Sequence, residues 1–132
     1  MTESHSFSKA CRLLTNSQFR VVLFRRKSVR DELLVLYALE NGLDYSRLGV
    51  SIGKSCGKAV VRNRLKRLIR EAFRQNKHVI APGFDYVALM SPRWVRQAGG
   101  RAGAKAVVKT LKFEQFRDSL LSLADLLTAG RA

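Results

Sequence analysis

An α+β sandwich, with helices packed on a small mixed sheet in the order α-β-β-α-β-α, is the fold class that this 132-residue sequence predicts. Three observations carry it. Ala59 to Arg74 places Val61, Leu65, Leu68, Ile69, Ala72 and Phe73 at helical spacing, on one broad stripe. Phe113, Phe116, Leu120, Leu123 and Leu127 repeat that spacing at the C-terminal end. Between and before these helices lie three short segments with strand character, each bounded by turn residues. One domain over residues 1–132 is expected, since a chain of this length buries roughly two-thirds of its unfolded surface as a single unit.

The elements follow in chain order. Residues 1–11 are expected to be a flexible N-terminus. Thr15-Asn16-Ser17-Gln18 has the form of a capping box, and Phe19, Val22 and Leu23 then share one face of a helix over roughly residues 15–25. Arg25 to Asp31 is a basic connection. Leu33 to Leu39 is apolar on both faces, the pattern of a central strand covered on two sides. Asn41-Gly42 supplies a turn. In Arg47 to Ile52, Leu48, Val50 and Ile52 alternate with Arg47, Gly49 and Ser51, leaving a small polar face on which a ligand has room to lie. Pro82-Gly83 marks the turn before the third strand, Phe84 to Met90. Residues 91–112 hold six basic residues, no acid, three glycines and Trp94; they are expected to be a basic insertion, largely irregular, with a short helix near 104–111. Residues 128–132 are expected to be a flexible tail.

Charge narrows the function. The chain carries 25 Lys and Arg against 10 Asp and Glu, a formal charge of +15. This implies a polyanionic partner. The charge is concentrated: Lys54, Lys58, Arg62, Arg64, Lys66, Arg67, Arg70, Arg74 and Lys77 face only Glu71, whereas residues 32–53 contain Arg47 alone against three acids. On the predicted helix, Asn63, Lys66, Arg67, Arg70 and Arg74 lie opposite the apolar stripe, with Arg62 and Arg64 flanking it. A merely solvated helix alternates signs to form i, i+4 pairs. Like charges gathered on one face repel, and a nucleic-acid backbone relieves that repulsion.

Other chemistries lack their residues. Gly49-Val50-Ser51-Ile52-Gly53-Lys54-Ser55 misses the phosphate-loop spacing by one residue, and Leu48 stands where the first glycine is required. Cys11 and Cys56 lie 45 positions apart without the paired spacing of a zinc site, and two reduced thiols are expected. His5, His78 and the scattered acids form no catalytic constellation. The longest apolar run, Leu33 to Leu39, is too short to span a membrane, and the first fifteen residues carry no hydrophobic signal core, so a cytoplasmic protein is expected. No second helix precedes the basic one at turn distance, which disfavours a helix-turn-helix DNA binder.

The segment Arg47-Leu48-Gly49-Val50-Ser51-Ile52-Gly53-Lys54, continuing through Gly57-Lys58-Ala59-Val60-Val61-Arg62-Asn63-Arg64-Leu65-Lys66-Arg67-Leu68-Ile69-Arg70-Glu71-Ala72-Phe73, closely resembles the protein subunit of bacterial ribonuclease P. Arg12-Leu13 followed by Phe19, and Leu34-Val35-Leu36-Tyr37, match that family's first helix and first strand; the resemblance covers about residues 9–90, and the last helix by position and pattern. A lone Arg-Asn-Arg is weak. Within a Gly-Val-Ser strand, a Gly-Lys-Ala-Val turn and a basic amphipathic helix it is specific.

The resemblance implies a ribonucleoprotein endoribonuclease in which a catalytic RNA removes the 5′ leader of precursor tRNA. The polypeptide would hold no cofactor and no catalytic residue of its own, Mg²⁺ belonging to the RNA-containing holoenzyme. By the same resemblance, Lys54, Lys58, Arg62, Asn63, Arg64, Lys66, Arg67 and Arg70 meet the catalytic RNA, while Arg12, Phe19, Tyr37, Ser51 and Arg62 line a cleft for the single-stranded leader. Neither membrane nor DNA is an implied partner. A left-handed β-α-β crossover is also implied, against the general right-handed rule. The independent reading agrees: aromatic rings stack on bases and cations track phosphates. Two departures stand out. Leu23 occupies the position of the family's second cleft aromatic, with Phe24 beside it, and the insertion at 91–112 is longer than is usual. The alternative is a structural RNA-binding protein of ribosomal or ribosome-assembly type.

Overall fold

A computed structural model of the chain describes residues 16–25, 27–100, 103 and 108–129. The expected flexible N-terminus, the Thr15 capping residue, Arg12, Cys11 and residues 130–132 lie outside these. Of the expected flexible tail, Thr128 is instead the last residue of a helix, its hydroxyl donating to the Ala124 carbonyl at 2.8 Å. The elements are α1 (Asn16–Arg25), β1 (Ser28–Arg30), β2 (Leu34–Glu40), β3 (Arg47–Ser51), a 3₁₀ turn (Lys54–Cys56), α2 (Ala59–Asn76), β4 (Phe84–Met90), α3 (Pro92–Gln97) and α4 (Phe113–Thr128). The α+β expectation holds, with two elements added.

The four strands form one mixed sheet in the order β1-β2-β4-β3. β2 is antiparallel to both β1 and β4, whereas β3 runs parallel to β4 and reaches it through α2. One face carries the main core. Leu34, Leu36 and Ala38 of β2, Leu48 of β3, and Tyr86, Ala88 and Met90 of β4 pack there with Leu65, Ile69 and Phe73 of α2 and Phe116, Leu120 and Leu123 of α4. The apolar stripe of the basic helix is therefore its core side, and the cations are left to the outside.

On the other face α1 lies over β2 and β4. Val22 is buried there against Val87, ringed by Phe19, Leu23, Tyr37, Leu39 and Leu89. This coverage on both sides explains why β2 lacks the polar alternation of a half-exposed strand.

β1 falls within the stretch expected to be a basic connection. Only Val29 of its three residues is apolar, so periodicity cannot show it; the backbone pairing of Ser28, Val29 and Arg30 with Tyr37, Leu36 and Val35 makes it a strand. A short, charged strand suits a sheet edge, where it discourages pairing with other chains.

The segment after β4 is more ordered than expected. Ser91 caps α3 by accepting the Arg93 backbone N–H at 3.2 Å, Pro92 sits in the first turn, and Trp94 and Ala98 are buried. Gly100, Gly103 and Val108 are helical and 109–110 form a turn, so of the short helix expected near 104–111 Val108 is helical, the stretch from 109 on is not, and 104–107 lie outside the described residues. In the turn before β4, Gly83 takes φ +84°, and a Cβ there would stand 3.2 Å from the Leu43 carbonyl oxygen.

Candidate nucleic-acid interface

Register on the α1 face positions the candidate residues. Three rows cross the sheet: Ser28, Tyr37, Val87 and Gly49; Arg30, Val35, Leu89 and Ser51; and Leu39, Asp85 and Arg47. Directly paired residues share a face. Tyr37 and Ser51 therefore stand on the same side of the sheet, two strand spacings across and one row apart, a separation of roughly 12 Å.

At the β3 edge this face opens into a groove of about 420 Å³ lined by Phe19 and Arg20 of α1, Val50, Ser51 and Ile52, and Lys66 of α2. An aromatic ring, an exposed serine and two cations thus meet across three elements. Such a combination accepts an extended single strand: the ring stacks on a base while the cations pair with phosphates.

Tyr37 is not in the groove. It borders the Val22–Val87 cluster, and both it and Phe19 are partly buried there. Of the two candidates for a second cleft aromatic, Leu23 packs on this cluster whereas Phe24 points outward at 83 % exposure. The aliphatic side chain thus takes the sheet-facing place.

On α2, Asn63, Arg64, Arg67 and Arg70 are exposed, and Lys54 and Lys58 are exposed before its start. Glu71 pairs with Arg74, which holds it through two nitrogens. This contact also raises the pKa of the Arg74 guanidinium. Among the described residues no carboxylate forms an ion pair with Lys54, Lys58, Arg62, Arg64, Lys66, Arg67 or Arg70. The ridge is consequently cationic without internal neutralisation.

Lys66 departs from the expected wheel. Instead of standing opposite the core it is partly buried at the stripe's groove-side edge, one turn beyond Arg62. Arg62 is also partly buried, its Nε donating to the Gly57 carbonyl at 3.1 Å. That bond joins the basic helix to the turn that precedes it. Arg20 was not among the expected site residues. Its place one residue after Phe19 was the available signal, although a lone Arg on a short helix carries little weight before the groove is seen.

Cys56, the last residue of the 3₁₀ turn before α2, carries a free, buried thiol. Burial pushes its pKa up, against smaller opposing effects of Ser55, the Gly53 backbone and Arg62. Among the described residues no three His, Cys, Asp or Glu side chains gather into a group able to hold a metal ion, and no helix is long and apolar enough to cross a membrane.

The comparisons with known proteins agree with this geometry. The family profile described as "Ribonuclease P" matches residues 7–125. The ribonuclease P protein component of Thermotoga maritima is 46 % identical over 89 residues, which cover 67 % of this chain and 74 % of that protein. Its counterpart in Clostridioides difficile is 46 % identical over 82 residues, 61 % of this chain and 72 % of that one. Among solved structures, the RNase P protein from Thermotoga maritima superimposes with a TM-score of 0.69 at 36 % identity, over 84 % of this chain and 92 % of that one. The Staphylococcus aureus RNase P protein does so with a TM-score of 0.69 at 28 % identity, over 89 % and 95 % of the two chains. With its sheet, basic helix and groove in place, the chain belongs to the bacterial ribonuclease P protein family, the protein component of an endoribonuclease that works with an RNA and serves tRNA processing.

Proposed function

We propose that this chain grips two RNAs with two adjoining surfaces. Lys54, Lys58, Arg62, Asn63, Arg64, Arg67 and Arg70 meet the catalytic RNA, and the groove of Phe19, Arg20, Ser51 and Lys66 takes the single-stranded 5′ leader of precursor tRNA. Tyr37 borders the leader's path rather than forming the groove wall. Lys66 and Arg62, at the edge shared by both surfaces, hold the two RNAs in register. The observation that carries this reading is the cationic ridge of α2 directly beside a groove with an aromatic wall.

In this reading bond cleavage belongs to the RNA, and Mg²⁺ enters with it. The described residues offer no cluster that fits such an ion, and no chemical step is assigned to one on the polypeptide. The protein neutralises phosphates where the two RNAs approach and adds leader contacts that mature tRNA cannot make. It therefore favours substrate over product.

The test compares binding of precursor and mature tRNA to a bacterial ribonuclease P RNA, with and without this chain. Tighter binding of the precursor only in the protein's presence supports the leader groove. Equal affinities with the protein present, together with binding to ribosomal RNA, would favour the structural RNA-binding alternative.

A further inference from the structure

A second basic groove lies at the opposite edge of the same sheet face. It has a volume of about 510 Å³ and is lined by Arg30, Asp31, Glu32, Ser91, Pro92, Arg93 and Arg96. Register connects it with the first groove. Arg30 lies opposite Val35, Val35 opposite Leu89, and Leu89 opposite Ser51. One row of side chains thus runs from Ser51 across the partly exposed Leu89 and Val35 to Arg30, over three strand spacings or about 14 Å.

The arginines are held by a rigid support. The Ser91 backbone N–H donates to the Leu33 carbonyl at 2.8 Å, its hydroxyl caps α3, and Trp94 anchors the helix in the core at 6 % exposure. Arg93 and Arg96 project from α3 and are exposed.

The two carboxylates of the groove differ in availability. Asp31 accepts the backbone N–H groups of Leu33 and Leu34 at 2.8 Å through one oxygen and the Ser119 hydroxyl through the other, so most of its acceptor capacity is committed within the fold. Glu32 reaches Arg93 only at 3.7 Å, with both side chains largely exposed. An exposed pair of that length exchanges readily for a phosphate contact. Among the described residues Arg30 and Arg96 form no ion pair.

We infer that Arg30, Arg93 and Arg96 form a phosphate clamp for the distal part of a single-stranded RNA that leaves the Phe19–Ser51 groove and crosses the sheet along the Leu89–Val35 row. The inference rests on the leader reading of the first groove. It assigns the α3 segment the task of reading leader length. Because the contacts are to phosphates, the clamp is indifferent to base sequence.

The experiment uses holoenzyme reconstituted from a bacterial ribonuclease P RNA and the full chain, with precursor tRNAs whose leaders are about four and about twelve nucleotides long. Wild type binds the longer leader more tightly. R93A/R96A loses roughly tenfold in affinity for the long-leader substrate, with a salt slope lower by roughly 1.4, and binds the short-leader substrate and the catalytic RNA as wild type does. Glu32→Gln, which removes the competing carboxylate, strengthens long-leader binding. Equal loss at both lengths, or no loss at either, overturns the clamp. A wild type that distinguishes precursor from mature tRNA but gains nothing from a longer leader overturns the clamp alone, whereas failure of that distinction removes the leader groove as well.

Discussion

Arg47 holds both carboxylate oxygens of Asp85, with Nε 2.7 Å from Oδ1 and Nη2 2.6 Å from Oδ2. The pair bridges the parallel strands β3 and β4 on the α1 face, and the Asn41 side-chain amide donates to the same Asp85 Oδ1 at 2.8 Å. The hydrogen bond to Asp85 raises the pKa of the Arg47 guanidinium, outweighing its partial desolvation. Arg47 is thus the one cation of residues 32–53 and is committed to structure. It belongs to neither RNA surface.

Asp85→Ala is expected to cost about 1 to 3 kcal/mol of stability, because it leaves the half-buried Arg47 guanidinium and Asn41 amide without their shared carboxylate. Urea unfolding monitored by circular dichroism gives the value. A loss below half of that would show that Arg47 and Asn41 recover their contacts with water.

Leu65 and Arg67 lie two residues apart on α2 and should fail in opposite ways. Leu65 is fully buried, so Leu65→Ala should lower stability by about 2 to 5 kcal/mol. It should leave the salt dependence of catalytic-RNA binding unchanged. Arg67→Ala and Arg70→Ala should leave stability nearly unchanged, and each should reduce the salt slope of RNA binding by roughly 0.7 to 0.9. Titrations at several salt concentrations, paired with unfolding curves, separate the two behaviours.

Phe19→Ala is expected to weaken precursor binding by about 1 to 3 kcal/mol while mature tRNA binding holds, since a base loses its stacking partner. Assembly with the catalytic RNA should be nearly intact. A Phe19→Leu variant retains apolar contact with the Val22–Val87 cluster without offering an aromatic ring. It should bind precursor as weakly as the alanine variant; full recovery by leucine would assign Phe19 to packing.

Burial of Cys56 gives a reactivity expectation. In a Cys11→Ser background the native protein should react slowly with a thiol reagent at neutral pH, and rapidly once unfolded. Its raised pKa also sets a sign. Above the ordinary thiol range the unfolded chain gives up a proton that the folded chain keeps, so this thiol's contribution makes stability fall as pH rises there. Cys56→Ala should remove that part of the pH dependence.

How much of this was legible follows from the kind of signal each residue carries. Val61, Leu65, Ile69 and Phe73 announce their helix because a 3.6-residue period over several turns has no other reading. Leu34 to Leu39 announces a doubly covered strand by having no polar face. β1 was illegible, since three residues with one apolar side chain show no period and only backbone pairing with positions 35–37 makes them a strand. α3 was different: Ser91-Pro92 carries a cap and a first-turn proline, but the glycines and cations that follow obscured it.

At the site, the cationic ridge could be read from charge and spacing, whereas the groove depends on three segments meeting. Lys66 lies about 140° around the helix from Val61, which by angle alone suits the outer face. Only the neighbouring β3 edge and α1 make that angle the wall of a groove.

The most direct test is cleavage of a precursor tRNA by a bacterial ribonuclease P RNA at low Mg²⁺, with and without this chain. Cleavage at the mature 5′ end should be restored by the protein. It should fall with Arg67→Ala/Arg70→Ala because assembly fails, and with Phe19→Ala because precursor binding weakens while assembly holds. No stimulation by the folded protein with an RNA active at high Mg²⁺, or equal damage to assembly by both kinds of variant, would contradict the two-surface account.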